Sequence, residues 1–313
     1  MDPGSTVSPC RSPDFWFDDG SVVLVESTQF RVHRSMLSAN SEVFRGMFSL
    51  PQPTTVDIDL VDGCPVVRLT DKAVDWTHVL KALYSSGRRI WNVGEIGWPF
   101  PVVAAYLRLG KKYEIEHLRL EAVNVLTTAF PSTLDQYDAD DIQQITFENS
   151  LYFDVVCLAR EAGIHCILPA AYYHYCEIFA FDAVLEGITR PDGTLSTLSV
   201  QDQRAVMQGW RRLLQMQPSD TFQWMTLELQ VDREWFTMCE ARKPGCIFTR
   251  KDLLCKIYPM ESECRALQSW DPNWELAMCS PCVELCQMAH AHGRATVWEK
   301  LPSVFGLPNW DKL

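Results

Sequence analysis

Residues 15–48 read FWFDDGSVVLVESTQFRVHRSMLSANSEVFRGMF, and this stretch decides the fold. Two short apolar runs, residues 22–25 and 30–32, read as strands joined by the polar residues Glu26, Ser27, Thr28 and Gln29. After His33 and Arg34 the pattern changes to that of helices. Ser35 is placed to cap a short helix through Ala39, and Ser41 a second through Phe48. A serine oxygen at the N-cap accepts a backbone N–H that the first turn leaves free. Val43, Phe44, Met47 and Phe48 then share one apolar face. The expectation is a tight hairpin that feeds a helical hairpin, with nothing catalytic in it.

Outward from this stretch, residues 51–62 read as a loop broken by Pro51 and Pro53, with residues 56–60 as an edge strand. Residues 66–69 form the next strand and residues 71–85 a helix that Gly87 ends. Residues 88–101, RRIWNVGEIGWPFP, read either as a surface loop whose aromatics fold back onto the core or as an exposed docking loop. Residues 102–126 supply two helices, with Gly110 at their join or at a close helix contact. Residues 150–162 are helical by spacing, Pro169 opens a helix carrying the run Tyr172-Tyr173-His174-Tyr175, and Ser199 with Asp202 resembles a capping box. Thr249 to Asp252 is another box-like start. A long helix over residues 282–301 leads to a tail whose Trp298, Leu301, Phe305, Leu307 and Trp310 are expected core anchors.

Two blocks carry a family resemblance. The first contains Ser21-Val22-Val23-Leu24, Phe30-Arg31-Val32-His33-Arg34 and Ser41-Glu42-Val43-Phe44-Arg45-Gly46-Met47-Phe48. The second is Leu107-Arg108-Leu109-Gly110-Lys111-Lys112-Tyr113-Glu114-Ile115-Glu116-His117-Leu118. At this spacing they resemble one BTB/POZ domain, of the type abundant in fungi. The resemblance implies an α+β fold: an N-terminal BTB/POZ fold, built as a small sheet with helical hairpins, followed by an all-helical extension. The expected organisation is a disordered tail over residues 1–13, the BTB/POZ domain over 14–130, a helical extension over 131–230 and a Cys-rich helical region over 231–313.

The same resemblance implies an interaction surface rather than a catalytic site. Many BTB domains dimerise through an apolar face around the first strand and first helix, and many pair an Asp of that strand with a basic residue after the His. Arg34 matches the basic position, Ser21 stands at the Asp position, and Asp19 lies two residues earlier. Phe44 and Phe48 are expected in the surface and core of the same region. BTB proteins that recruit a cullin-RING ubiquitin ligase carry a hydrophobic-x-Glu motif after the second helical hairpin, and residues 49–59 contain no Glu. A cullin adaptor is therefore an alternative without its own motif. His33 is structural in this reading.

Composition narrows the classes further. At 313 residues, with 47% hydrophobic and 22% charged residues, the chain reads as a soluble protein of two or three domains. No apolar run approaches the ~20 residues of a membrane span, and residues 1–14 lack the pattern of a secretory signal. The expected location is intracellular, cytoplasmic or nuclear or both. The net charge is −12, and no run of basic residues exceeds two, as at Arg88-Arg89, which disfavours nucleic acid.

Seven of the twelve cysteines follow Val231, and this bias points to a possible metal site. Cys279-Ser280-Pro281-Cys282 is a C-x-x-C pair at a helix start, a spacing that lets two thiolates share one ion. Cys239 and Cys246 supply the two further ligands of a structural zinc. Competing donors are Cys286 and His290, one and two turns beyond Cys282, together with Cys255, Cys264 and His292. The bland alternative is that these are small buried hydrophobes. A thiol redox site at Cys279 and Cys282 is a further reading, but such motifs sit beside a βαβ pattern that is not evident here. The expected function is therefore a non-enzymatic protein–protein interaction module, a homodimer or a hetero-association through the BTB region. The alternatives are a cullin adaptor and a thiol redox protein.

Overall fold

The computed structural model describes residues 10–50, 59–85, 97–139, 145–146, 151–190, 193–226, 239, 245–257, 263–276 and 278–313. It divides into two compact units, Met1–Ala129 with Ile142–Phe147, and Phe130–Asp141 with Glu148–Leu313.

The first unit is built on a five-stranded sheet of order β1-β3-β2-β5-β4, comprising β1 (Cys10–Trp16), β2 (Val22–Val25), β3 (Thr28–Val32), β4 (Leu60–Val61) and β5 (Cys64–Arg68). Strand β2, Val-Val-Leu-Val, is buried along its whole length, as a strand covered on both faces must be. It runs antiparallel to β3, with Val22 opposite Val32, and parallel to β5. Residues 10–13, expected in the tail, instead belong to β1, which pairs in parallel with β3 and closes that side of the sheet. Of the expected edge strand over residues 56–60, residues 56–58 lie outside the described residues. The described part continues into β4, which turns into β5 through Asp62 and Gly63. Both turn residues have positive φ, 49° and 75°, the conformation of a two-residue hairpin turn whose twist matches its strands.

Helices α1 (Arg34–Asn40) and α2 (Glu42–Ser49) follow the sheet. Ser41 caps α2 as expected, accepting from the Phe44 N–H at 3.1 Å. Ser35 does not cap α1; His33 takes that position, and the free Arg34 N–H is satisfied across space by the Ser21 hydroxyl at 3.0 Å. Helix α3 (Ala73–Tyr84) packs beside α4 (Phe100–Lys112), and α4 beside α5 (Glu116–Ala129). An added Cβ at Gly110 would meet the Arg119 backbone nitrogen at 3.0 Å, so the glycine does serve a close helix contact. Phe44, Trp76 and Tyr113 bring α2, α3 and the end of α4 together, with Phe44 stacked on Tyr113 at 5.1 Å. Gly87 and residues 88–96 lie outside the described residues. Trp98, in β6 (Trp98–Pro99), and Phe100 are buried, which fits the fold-back reading of their part of the loop.

The second unit is helical: α6 (Leu134–Asp138), α7 (Leu151–Ala162), α8 (Leu168–Ile178), α9 (Phe181–Glu186), α10 (Val200–Met216), α11 (Gly245–Ile257) and α12 (Ser280–Val304). The two-residue β7 (Ile145–Thr146) pairs with β6 in the first unit, and a small hairpin of β8 (Ile188–Thr189) and β9 (Leu195–Ser196) interrupts the helices of the second. Ser199 caps α10 by accepting from the Asp202 N–H at 3.2 Å. Asp202 is itself buried and accepts from Arg160 at 3.0 Å and from the Tyr172 hydroxyl. Thr249 does not open a helix; it sits inside α11 and donates to the Gly245 carbonyl at 3.0 Å. Of the expected anchors, Trp298, Leu301 and Phe305 are buried, while Leu307 and Trp310 are half-buried. Helix α12 packs on α8 and α10, so elements from residues 131–230 and from 231–313 share one unit rather than forming two.

Candidate functional site

Two groups of sequence-selected residues are placed by this fold. The first lies where β2 and β3 meet α1. Asp19 Oδ1 is 3.1 Å from His33 Nε2, and His33 Nδ1 is 2.9 Å from the Tyr84 hydroxyl. That hydroxyl also accepts the His33 backbone N–H at 2.9 Å, so its own proton is free to point at Nδ1. On the other side of the ring, Nε2 faces the Asp19 carboxylate and donates to it. Phe17 stacks on Tyr84 at 4.8 Å and completes the cluster.

Arg34 takes a different partner. Its guanidinium lies over the Phe48 ring at 4.7 Å from the centroid and donates to the Phe48 carbonyl at 3.3 Å. Asp19 is thus joined to His33, Arg34 to Phe48, and Ser21 to the Arg34 backbone. Phe44 is 1% exposed and belongs to the core, while Phe48 is half-buried beneath Arg34. Val43 and Leu50, on and just after α2, are exposed at 38% and 64%.

The second group is the cysteine cluster. Cys239, Cys246, Cys279 and Cys282 converge, with their Sγ atoms all within 4.8 Å of one another. The distances Cys239–Cys246, Cys239–Cys279 and Cys246–Cys279 are each 3.8 Å. These sulfurs are too far apart for a disulfide, whose S–S bond is about 2.05 Å. They match the edge of a tetrahedron of Zn–S bonds of about 2.3 Å, which is ~3.8 Å long. The donor set is four soft thiols, suited to zinc or to iron.

Local sequence explains the convergence. Cys246 is the second residue of α11, Cys279 is the N-cap of α12, and Cys282 lies in the first turn of α12. Pro281 fits that first turn because its missing N–H has no intrahelical partner to lose. Two helix N-termini therefore meet at the thiols, and their partial positive charge favours thiolate. The Cys279 N–H donates to Cys246 Sγ at 3.4 Å. Burial pushes the Cys279 thiol up, but the Cys282 N–H and the thiols of Cys282, Cys239 and Cys246 outweigh it and hold Cys279 at about 7. Burial raises Cys246 and Cys282, and hydrogen bonds among the thiols raise them further. Of Cys246, Cys279 and Cys282, Cys279 alone is lowered, and a cation binding the cluster displaces its thiol protons.

The competing donors lie outside this group of four. Cys286 is fully buried in an apolar cluster with Phe222, Trp224, Met225 and Trp274. His290 Nε2 lies 2.9 Å from the Gln268 carbonyl, and its Nδ1 is 3.2 Å from the Trp224 indole nitrogen. Cys264 is buried apart from the cluster, and Cys255 and His292 are exposed. Sequence reasoning did not single out Arg250, a residue 2% exposed one turn beyond Cys246. The signal was its i+4 spacing from a ligand on a helix.

Residues 14–129 match the family model of the BTB/POZ domain, and this part of the chain is a BTB/POZ domain. This domain is a protein-interaction module, which sets the general function of the first unit. Comparisons with curated proteins and with solved structures returned no match. Among the described residues, no helix is long and apolar enough to cross a membrane.

Proposed function

We propose that the chain is a non-enzymatic docking protein. Its BTB/POZ domain associates with a second copy or with a partner protein, and its helical unit is held by a structural zinc on Cys239, Cys246, Cys279 and Cys282. The observation that carries the first part is the domain match over residues 14–129. The exposed apolar side chains Val43 and Leu50 on the α1–α2 side support a docking face there. Burying them contributes about 25 cal/mol per Å² before ordering costs. The four-sulfur tetrahedral spacing supports the zinc, and four protein ligands make a closed, structural site.

Light scattering across a concentration series tests self-association. A concentration-dependent dimer that Val43→Asp with Leu50→Asp weakens supports the homodimer. A strict monomer at all concentrations removes the homodimer and leaves docking to another protein. Native affinity purification from the same preparation tests a cullin partner, and its absence after crosslinking counts against the adaptor role. The lowered Cys279 thiol favours one competing reading, thiol redox chemistry at Cys279 and Cys282. Insulin-reduction activity that disappears in Cys279→Ser would establish it in place of zinc.

A further inference from the structure

Four thiolates around one divalent ion leave an excess of two negative charges in a largely buried place. Cys246 and Cys282 are 4% and 3% exposed, so water reaches them little. Such a centre needs nearby positive charge or N–H donors to be favourable. The two helix N-termini supply part of that, and the Cys279 N–H on Cys246 supplies another part.

A full positive charge lies on the same helix as one of the ligands. Arg250 follows Cys246 by four residues on α11, about 6 Å along the axis and on the same face. Cys286 follows Cys282 by one turn on α12, so each helix carries a metal-facing cysteine and, one turn on, a buried residue. Arg250 is 2% exposed and Cys286 is fully buried. Long helical side chains lean toward the helix N-terminus, which for Arg250 is the end bearing Cys246. Its Nη1 donates to the Trp224 carbonyl at 3.2 Å, which fixes the guanidinium inside the unit rather than in solvent. Burial raises the Cys286 thiol, the Arg250 charge lowers it, and Cys246 and Cys279 raise it again, so the residue one turn beyond Cys282 senses both the arginine and the cluster.

We propose that Arg250 is the counter-charge of the four-cysteine metal centre. It is a positioning residue that touches no metal but offsets the excess negative charge of the thiolates. The inference rests on the zinc reading above, and it explains why an arginine is buried on the one helix face that also carries a ligand.

The experiment uses the full chain loaded with cobalt(II) and then with zinc. The wild-type protein is expected to show the intense visible bands of tetrahedral cobalt thiolate. Their absence overturns the metal reading itself, and with it this inference. Given those bands, zinc affinity is measured by chelator competition in wild type, Arg250→Lys and Arg250→Gln. Arg250→Gln is expected to weaken zinc by about 10- to 100-fold, while Arg250→Lys, which keeps the charge, stays closer to wild type. Equal affinity in wild type and Arg250→Gln, or equal losses in both variants, overturns the counter-charge role. If Arg250→Gln does not fold, it is combined with Cys279→His, which removes one negative charge from the centre. Recovery of folded, metal-bound protein supports charge balance, and failure to recover shows that Arg250 acts by packing alone.

Discussion

Cys239 Sγ and Cys279 Sγ lie 3.8 Å apart although 40 positions separate them in the chain. Closing such a loop costs entropy, and a bound ion offsets that cost because its binding energy becomes folding energy. Cys282→Ser is therefore expected to reduce bound zinc from about one ion per chain to near zero. Its thermal midpoint should then match that of chelator-treated wild type. Cys286→Ser is the control: it lies one turn away in an apolar cluster and should keep its zinc. Metal analysis of dialysed protein separates the two. Equal zinc in both variants, or none in the wild type, removes the centre.

Ser41 joins two parts of the BTB fold through one hydroxyl. Its oxygen accepts the Phe44 N–H at 3.1 Å, and its proton goes to the Tyr113 carbonyl at 2.5 Å. Ser41→Ala removes a helix cap, worth about 1 kcal/mol. It also strands a carbonyl at a buried position, which adds about 1–3 kcal/mol. Denaturant unfolding should show a loss of about 2–4 kcal/mol with unchanged m-value. A loss under about 0.5 kcal/mol would show that water replaces the hydroxyl.

The sequence made the BTB core and the two cysteine pairs legible for one reason: each depends on local spacing, although the joining of Cys239 and Cys246 to Cys279 and Cys282 does not. Strands β2 and β3, the Ser41 cap, the Ser199 cap and the C-x-x-C at the start of α12 are short-range patterns. What was missed depends on partners distant in sequence. Ser35 looked like a cap because no local pattern reveals that Ser21, 13 positions earlier, satisfies the Arg34 N–H. Residues 10–13 looked like tail because only pairing with β3 makes them strand. The Asp62-Gly63 turn was legible and went unread, since that dipeptide is a strong hairpin signal. The link between Asp19 and His33 was hidden for the same reason as Ser21.

His290 gives the helical unit a pH dependence. Burial lowers its pKa below the usual value, and the Arg294 charge lowers it further, against the raising effect of the Gln268 and Thr221 carbonyls. The unfolded chain titrates near 6.5. Between that value and the lower folded pKa, the unfolded state binds a proton that the native state does not. Stability is thus fully present above about 6.5 and declines as pH falls through that window. Acid also releases thiolate-bound metal, so the comparison is made with His290→Gln. Denaturant midpoints at several pH values should fall more steeply for wild type than for the variant. Parallel curves would show that His290 does not contribute.

Two glycines predict opposite outcomes for the same substitution. Gly293 is buried on α12, and an added Cβ would stand 2.3 Å from the Asp220 carbonyl oxygen. That neighbour is backbone, so it cannot rotate away, and Gly293→Ala is expected to destabilise by about 3 kcal/mol or more. Gly46 is exposed within α2, and an added Cβ there meets nothing within 4 Å. Gly46→Ala removes the conformational freedom that glycine gives the unfolded chain and should stabilise by about 0.5–1 kcal/mol. The two lie in different compact units, so their effects should add in the double variant. Thermal and denaturant unfolding of the three variants measure both signs. A neutral Gly293→Ala would show that α12, the helix that carries Cys279 and Cys282, is not seated against the Asp220 backbone.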